Sequence, residues 1–196
     1  MSARKGHVTI MFFTTEGLEK LDKTAALAER FVAFLEHVLD PWDAGYQDVH
    51  AEVVLDNGEA YSAVGREPRP CVIQYKVTEK LLSQPFVRLV KVPVTDVEKA
   101  RKFLRKAAET KATYDIPVAQ MLTPDALLHA VRADLDATHP ATWHHLFCSQ
   151  FVLLFLRYCH MERMLPLADE KLKILWSEDS VKWTPAHLRR KLAEML

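Results

Sequence analysis

With 196 residues, 26 Lys plus Arg and 26 Asp plus Glu, the chain has the length of one domain with a real core and no net field to recruit nucleic acid or anionic lipid. Its three cysteines, Cys71, Cys148 and Cys159, have no framework spacing, which excludes a disulfide scaffold and suits free thiols in a reducing compartment. No run approaches the roughly 20 apolar residues of a membrane span, and the opening MSARKGHVTIMFF lacks a signal-peptide cleavage pattern, so a cytoplasmic or virion-associated protein is expected.

In chain order, His7 to Thr14 is β-branched and aromatic and predicts a strand. Glu16 to Leu39 repeats apolar residues at helical spacing (Leu18, Leu21, Leu27, Phe31, Phe34, Leu35, Val38), and Pro41 ends that helix. From Val49 the pattern becomes two short alternating runs around Asp56-Asn57-Gly58, a hairpin signal. Further strands are expected at Cys71 to Val77, after Pro68 and Pro70, and at Phe86 to Val92. Thr95 to Thr110 predicts a helix capped by Thr95 or Asp96, with Val97, Ala100, Phe103, Leu104 and Ala107 as its inner stripe. Thr123-Pro124 opens another helix, and a loop rich in His and Trp follows. Cys148 to His160 is apolar almost all round and predicts a buried helix, while Thr184-Pro185 caps a last, basic one. The sum is an α+β fold, a small antiparallel sheet packed against helices, in a single domain spanning 1–196.

Two residues stand where thiol chemistry requires them. The first turn of a helix offers unpaired N–H groups and a positive dipole end that favour a thiolate, and Cys148 sits where the late buried helix should begin. The plain alternative is a packing cysteine in an apolar run. Strand alternation sends Ala51, Val53 and Leu55 to the core and puts His50, Glu52 and Val54 on the other, polar side, where a base would be available. A surface histidine is the bland reading of His50.

The segment VHAEVVLDNGEAYSAVG resembles the histidine hairpin of the circularly permuted NlpC/P60 proteins, papain-like enzymes in which the histidine strand precedes the cysteine helix. Tyr114-Asp115-Ile116 is similar to that family's Tyr-Asp-aromatic segment, and Phe147-Cys148-Ser149-Gln150-Phe151-Val152 to its Tyr-Cys-Ser-Glu-Leu-Val helix start. Thr184-Pro185-Ala186-His187-Leu188 resembles its closing Ser/Thr-Pro-x-x-Leu, so the likeness spans about Asp48 to Leu188. The resemblance implies a papain-like core of about 48–188, with extra N- and C-terminal helices and an N-terminal strand-helix of about 7–40 packed on it. It implies Cys148 as nucleophile, His50 as general base and then acid, and the Cys148 backbone N–H as an oxyanion donor.

Ser62 stands where the family usually has Glu, His, Gln or Asn, and it is the third member that the resemblance implies. A three-residue Asp56-Asn57-Gly58 loop puts Ser62 opposite Glu52 on the His50 face; a two-residue Asn57-Gly58 turn sends it to the opposite face. Glu52 keeps the His50 face in either register and is the reserve orienter, with a solvated strand residue as its plainer meaning. The implied activity is a cysteine hydrolase acting through an acyl-enzyme on a peptide, isopeptide or acyl-lipid. Acyl transfer is an alternative. A catalytically weak structural protein, partnered within a larger assembly such as a virus particle, is another.

Other readings of the same residues are weaker. His144, His145, Cys148, Cys159 and His160 suggest a metal, but Cys148 and Cys159 lie about 16 Å apart on one helix, so no metal is expected. His144 and His145 are loop histidines within local reach of the thiol, Cys71 and Cys159 are structural thiols, and Asp115 is a turn residue or a brace beneath the site. Arg189, Arg190 and Lys191 read as a solvated helix face. The five glycines form no phosphate loop, so nucleotide hydrolysis is not expected, nothing marks a nucleic-acid module, and no cofactor is expected. Substrate specificity is expected from Glu16 to Leu39, from Pro117 to His145 and from the C-terminal tail.

Overall fold

Nine residues, Gly6–Thr14, with Ile10 to Phe13 all buried, form β1, which lies inside the sheet beside its middle strand β2 (Asp48–Leu55). The computed structural model describes residues 5–14, 48–64, 72–109, 113–114, 137–140, 145–177 and 183–196. The helix expected at Glu16 to Leu39, the helix at Thr123-Pro124, Cys71, Asp115 and His144 lie outside the described residues. After β2 come β3 (Glu59–Ala63), β4 (Val72–Lys76), the short helix α1 (Glu79–Leu82), β5 (Val87–Val94) and α2 (Val97–Ala108). The short strands β6 (Thr113–Tyr114) and β7 (His145–Leu146) pair in parallel, and α3 (Cys148–Met161), α4 (Asp169–Leu172) and α5 (Pro185–Met195) follow.

The five-stranded sheet has the order β4-β3-β2-β1-β5, with antiparallel pairing throughout, so the protein is α+β with a small antiparallel sheet and helices. The expected strand at His7 to Thr14, the hairpin and the helices starting near Thr95 and at Cys148 are all present, with ends shifted by at most two residues. Asp96 rather than Thr95 caps α2, its side chain accepting from the Lys99 N–H at 2.9 Å, and all five residues of the predicted inner stripe are buried. Thr184 caps α5 and accepts from the His187 N–H, with Pro185 at the first helical position. The short helices α1 and α4 carry no pattern long enough to be read from sequence. Among the described residues no helix is long and apolar enough to cross a membrane.

One face of the sheet presents Val8, Ile10, Phe12, Ala51, Val53, Tyr61 and Val92 to α2 and α3, whose Phe103, Leu104, Phe151 and Phe155 fill the main core. α3 ends in a paired C-terminal motif: Arg163 takes φ 54°, its N–H reaches the His160 carbonyl at 2.9 Å, and the Met164 N–H reaches that of Cys159 at 2.7 Å. The opposite sheet face corrects the expectation of a simply polar side. Met11, Phe13, Val49, Val54, Ala60 and Phe86 form a second apolar cluster there, with Leu81 and Leu82 of α1 packed against it, and every residue of β2 is buried. A strand with two covered faces hides both phases of its alternation.

The hairpin register decides between the two turns. Val53 pairs with Tyr61 and Val54 with Ala60, which leaves Asp56-Asn57-Gly58 as a three-residue loop. Gly58 supplies the left-handed residue such a loop needs, at φ 79°, and its N–H bonds the Leu55 carbonyl at 2.9 Å. A Cβ at Gly58 would meet nothing nearer than the Val77 carbonyl oxygen at 3.5 Å, so backbone conformation rather than crowding opposes a side chain there. Gly58→Ala is therefore expected to lower stability by about 1–2 kcal/mol, read from the urea midpoint, with no change in slope. An unchanged midpoint would contradict this account of the turn.

Candidate functional site

β2 opens with an irregularity. Phe13 pairs with His50 but Thr14 pairs with Asp48, so Val49 is an extra residue in the ladder. The bulge puts Val49 and His50 together against Phe13, whose ring centroid lies 6.0 Å from that of His50. Asp48 is committed elsewhere: fully buried, it accepts from Arg88 Nη1 of β5 at 3.1 Å and from Arg189 Nε of α5. This pair corrects the reading of Arg189 as part of a solvated face, because a buried carboxylate holds its guanidinium against the sheet.

The three-residue turn brings Ser62 to the His50 face. The backbone ladder between β2 and β3 covers only Val53–Tyr61 and Val54–Ala60, and nearer His50 the strands are joined by side chains. His50 Nε2 lies 2.8 Å from Ser62 Oγ and 3.1 Å from Glu52 Oε1. Glu52 is only 5 % exposed, which overturns its plainer reading as a solvated strand residue. Its second oxygen, Oε2, accepts from the Tyr75 hydroxyl. Tyr75 pairs with Ala60 in the β3–β4 ladder and so shares the face of Ser62, His50 and Glu52. Sequence reasoning missed Tyr75; alternation within β4 is the signal for it, but a use appears only once the register of three strands is known.

Cys148 is the first residue of α3, with Phe147 as the N-cap, and its thiol is in hydrogen-bonding and charge contact with the His50 ring. Because Nε2 is engaged by Ser62 and Glu52, Nδ1 is the nitrogen left for the sulfur. The parallel β6–β7 pairing sets the Tyr114 backbone beside Leu146, two residues before Cys148. Thus the four residues singled out from sequence, Cys148, His50, Ser62 and Glu52, form one cluster with Tyr75.

The electrostatics follow from this packing. Burial weighs against a charged imidazole, but the facing Cys148 sulfur and the Glu52 carboxylate together outweigh it and raise the His50 pKa well above its ordinary value. Burial and the adjacent Glu52 carboxylate both push the Tyr75 phenol upward, so it remains a donor throughout the working range. Cys159, buried in the same helix, has its thiol pushed upward by burial alone and has no role in the cluster. An imidazolium held between a sulfur and a carboxylate can stabilise a thiolate, donate a proton to a leaving group, and recover it from water. The chain matches no protein-family model, no curated protein and no solved structure.

Proposed function

We propose that this protein is a papain-like cysteine hydrolase of the permuted NlpC/P60 kind, with Cys148 as nucleophile and His50 as general acid and base. The supporting observation is the contact between the Cys148 thiol and a His50 ring whose Nε2 is engaged by Ser62 and Glu52. The Cys148 thiolate attacks the carbonyl carbon of an amide, isopeptide or ester, and the carbonyl electrons move onto oxygen. The backbone N–H of Cys148, in the first turn of α3, is the proposed donor to that oxyanion. The imidazolium passes its proton to the departing nitrogen or oxygen as the bond to carbon breaks, leaving a thioester on Cys148. A water then gives its proton to His50, attacks the thioester carbon and releases the carboxylic acid and the thiolate. Attack by another hydroxyl or amine in place of water converts hydrolysis to acyl transfer.

A thiol-reactive acyl probe tests the assignment. Labelling is expected in the wild type and is lost in Cys148→Ala; labelling that survives this substitution removes Cys148 as the nucleophile. One observation favours a second reading, a papain-like fold kept as a structural component of a larger assembly: Cys148 is only 2 % exposed. That reading predicts no probe adduct and no turnover of peptide, isopeptide or acyl-lipid substrates by the folded protein.

A further inference from the structure

Resting on the hydrolase reading of the same site, we infer that Tyr75 is a positioning residue: its hydroxyl holds one Glu52 oxygen so that the other stays on His50 Nε2. The Glu52–Tyr75 pair, and not Ser62 alone, then orients the imidazole.

Three features carry the inference. A buried carboxylate needs donors for both oxygens, and Glu52 has them from opposite directions, His50 Nε2 on Oε1 at 3.1 Å and the Tyr75 hydroxyl on Oε2. A glutamate has three rotatable side-chain bonds, and fixing the far oxygen removes the freedom that would let the near one leave the ring. The chemistry of the two His50 partners also differs. A serine hydroxyl both donates and accepts, so Ser62 at 2.8 Å suits either tautomer of the ring, whereas an ionised carboxylate only accepts and therefore requires the proton on Nε2. With Nε2 carrying its hydrogen, Nδ1 is turned to the sulfur in the state that exchanges the catalytic proton. This gives a continuous series from β4 through β2 to α3: Tyr75, Glu52, His50, Cys148.

The groups that face His50 are Cys148 from α3 and Glu52 from β2 itself, which raise its pKa, with the uncharged Ser62 from β3 and Phe13 ring from β1. Tyr75 from β4 acts only through Glu52. Asp48, two residues before His50, is paired with Arg88 and Arg189.

The pH profile of Cys148 alkylation by iodoacetamide, together with the His50 ring titration by NMR, tests the role in wild type, Tyr75→Phe, Glu52→Gln and the double variant. Phenylalanine keeps the ring and removes only the hydroxyl. Tyr75→Phe is expected to move the acid limb of alkylation upward by about one pH unit, about tenfold less thiolate below the midpoint, and to move the His50 titration downward. Glu52→Gln should shift both at least as far, and the double variant no further than Glu52→Gln, since Tyr75 acts through that carboxylate. If Tyr75→Phe lowers only the melting temperature and leaves both pH curves in place, the residue is structural and the inference fails. Fully additive shifts in the double variant also overturn it. An ordinary thiol profile in the wild type would sink the hydrolase reading, and the His50 titration in Tyr75→Phe would still decide the role of Tyr75.

Discussion

His50→Ala is expected to reduce the alkylation rate of Cys148 at about pH 6 by roughly two orders of magnitude, with each protein normalised to its own alkaline plateau. The physical reason is the fraction of thiolate: an ordinary cysteine titrating near ~8.5 is well under 1 % ionised at about pH 6. A neighbouring imidazolium offsets a negative sulfur, and the His50 ring in contact with Cys148 is the group that would supply it. Removing the ring also leaves the buried Glu52 carboxylate without one of its donors, and this further disfavours a nearby thiolate. Normalising to the plateau separates ionisation from access, which matters for a sulfur as buried as this one. His50→Gln, which retains an amide within reach of Ser62, should show the same loss and guards against a folding defect in the alanine variant.

The converse substitution fixes the sign. Burial alone lowers the pKa of an imidazole, and that of His50 is raised only because Cys148 and Glu52 outweigh burial. In Cys148→Ala the sulfur is gone while burial is unchanged, so the His50 ring should titrate at lower pH than in the wild type, as followed by its ring proton shifts. A ring that titrates identically in the two proteins would show that no charge passes between sulfur and imidazole. Interacting groups titrate jointly, so the two curves should be fitted together.

Asp48→Asn is expected to lower stability by about 2–3 kcal/mol. Removing one partner of a fully buried ion pair costs about 3–5 kcal/mol because a buried charge is left unmatched. The Asp48 carboxylate is fully buried, but the Arg88 and Arg189 side chains keep 34 % and 19 % of their surface exposed, and partial hydration reduces the loss. Asp48 stands at the start of β2, two residues before His50, and ties that strand to β5 and to α5. Urea unfolding measures the effect, and Arg189→Ala should lose less than Asp48→Asn because the carboxylate retains Arg88. A change under about 0.5 kcal/mol in Asp48→Asn would mean that the closing helix is held by apolar packing alone.

Local residues determined a good deal of this molecule. The alternation in β2, the turn residues Asp56-Asn57-Gly58, the Asp96 and Thr184 caps and the apolar run after Cys148 all act over a few positions, and each element formed where those positions placed it. Cys148 at a helix start and His50 on a strand were legible for the same reason. Four matters were settled only by tertiary structure. The turn length was open, because both registers satisfy the same loop residues, and only the ladder itself put Ser62 beside His50. Burial of Glu52 depended on a second apolar cluster built from β1, β2, β3 and the segment around Phe86. Tyr75 gained a partner 23 positions away, and Asp48 one 141 positions away in Arg189. Hydrogen bonds and ion pairs reach only a few ångströms, so which distant side chains come within that range depends on how whole strands and helices stack, and no local pattern encodes it.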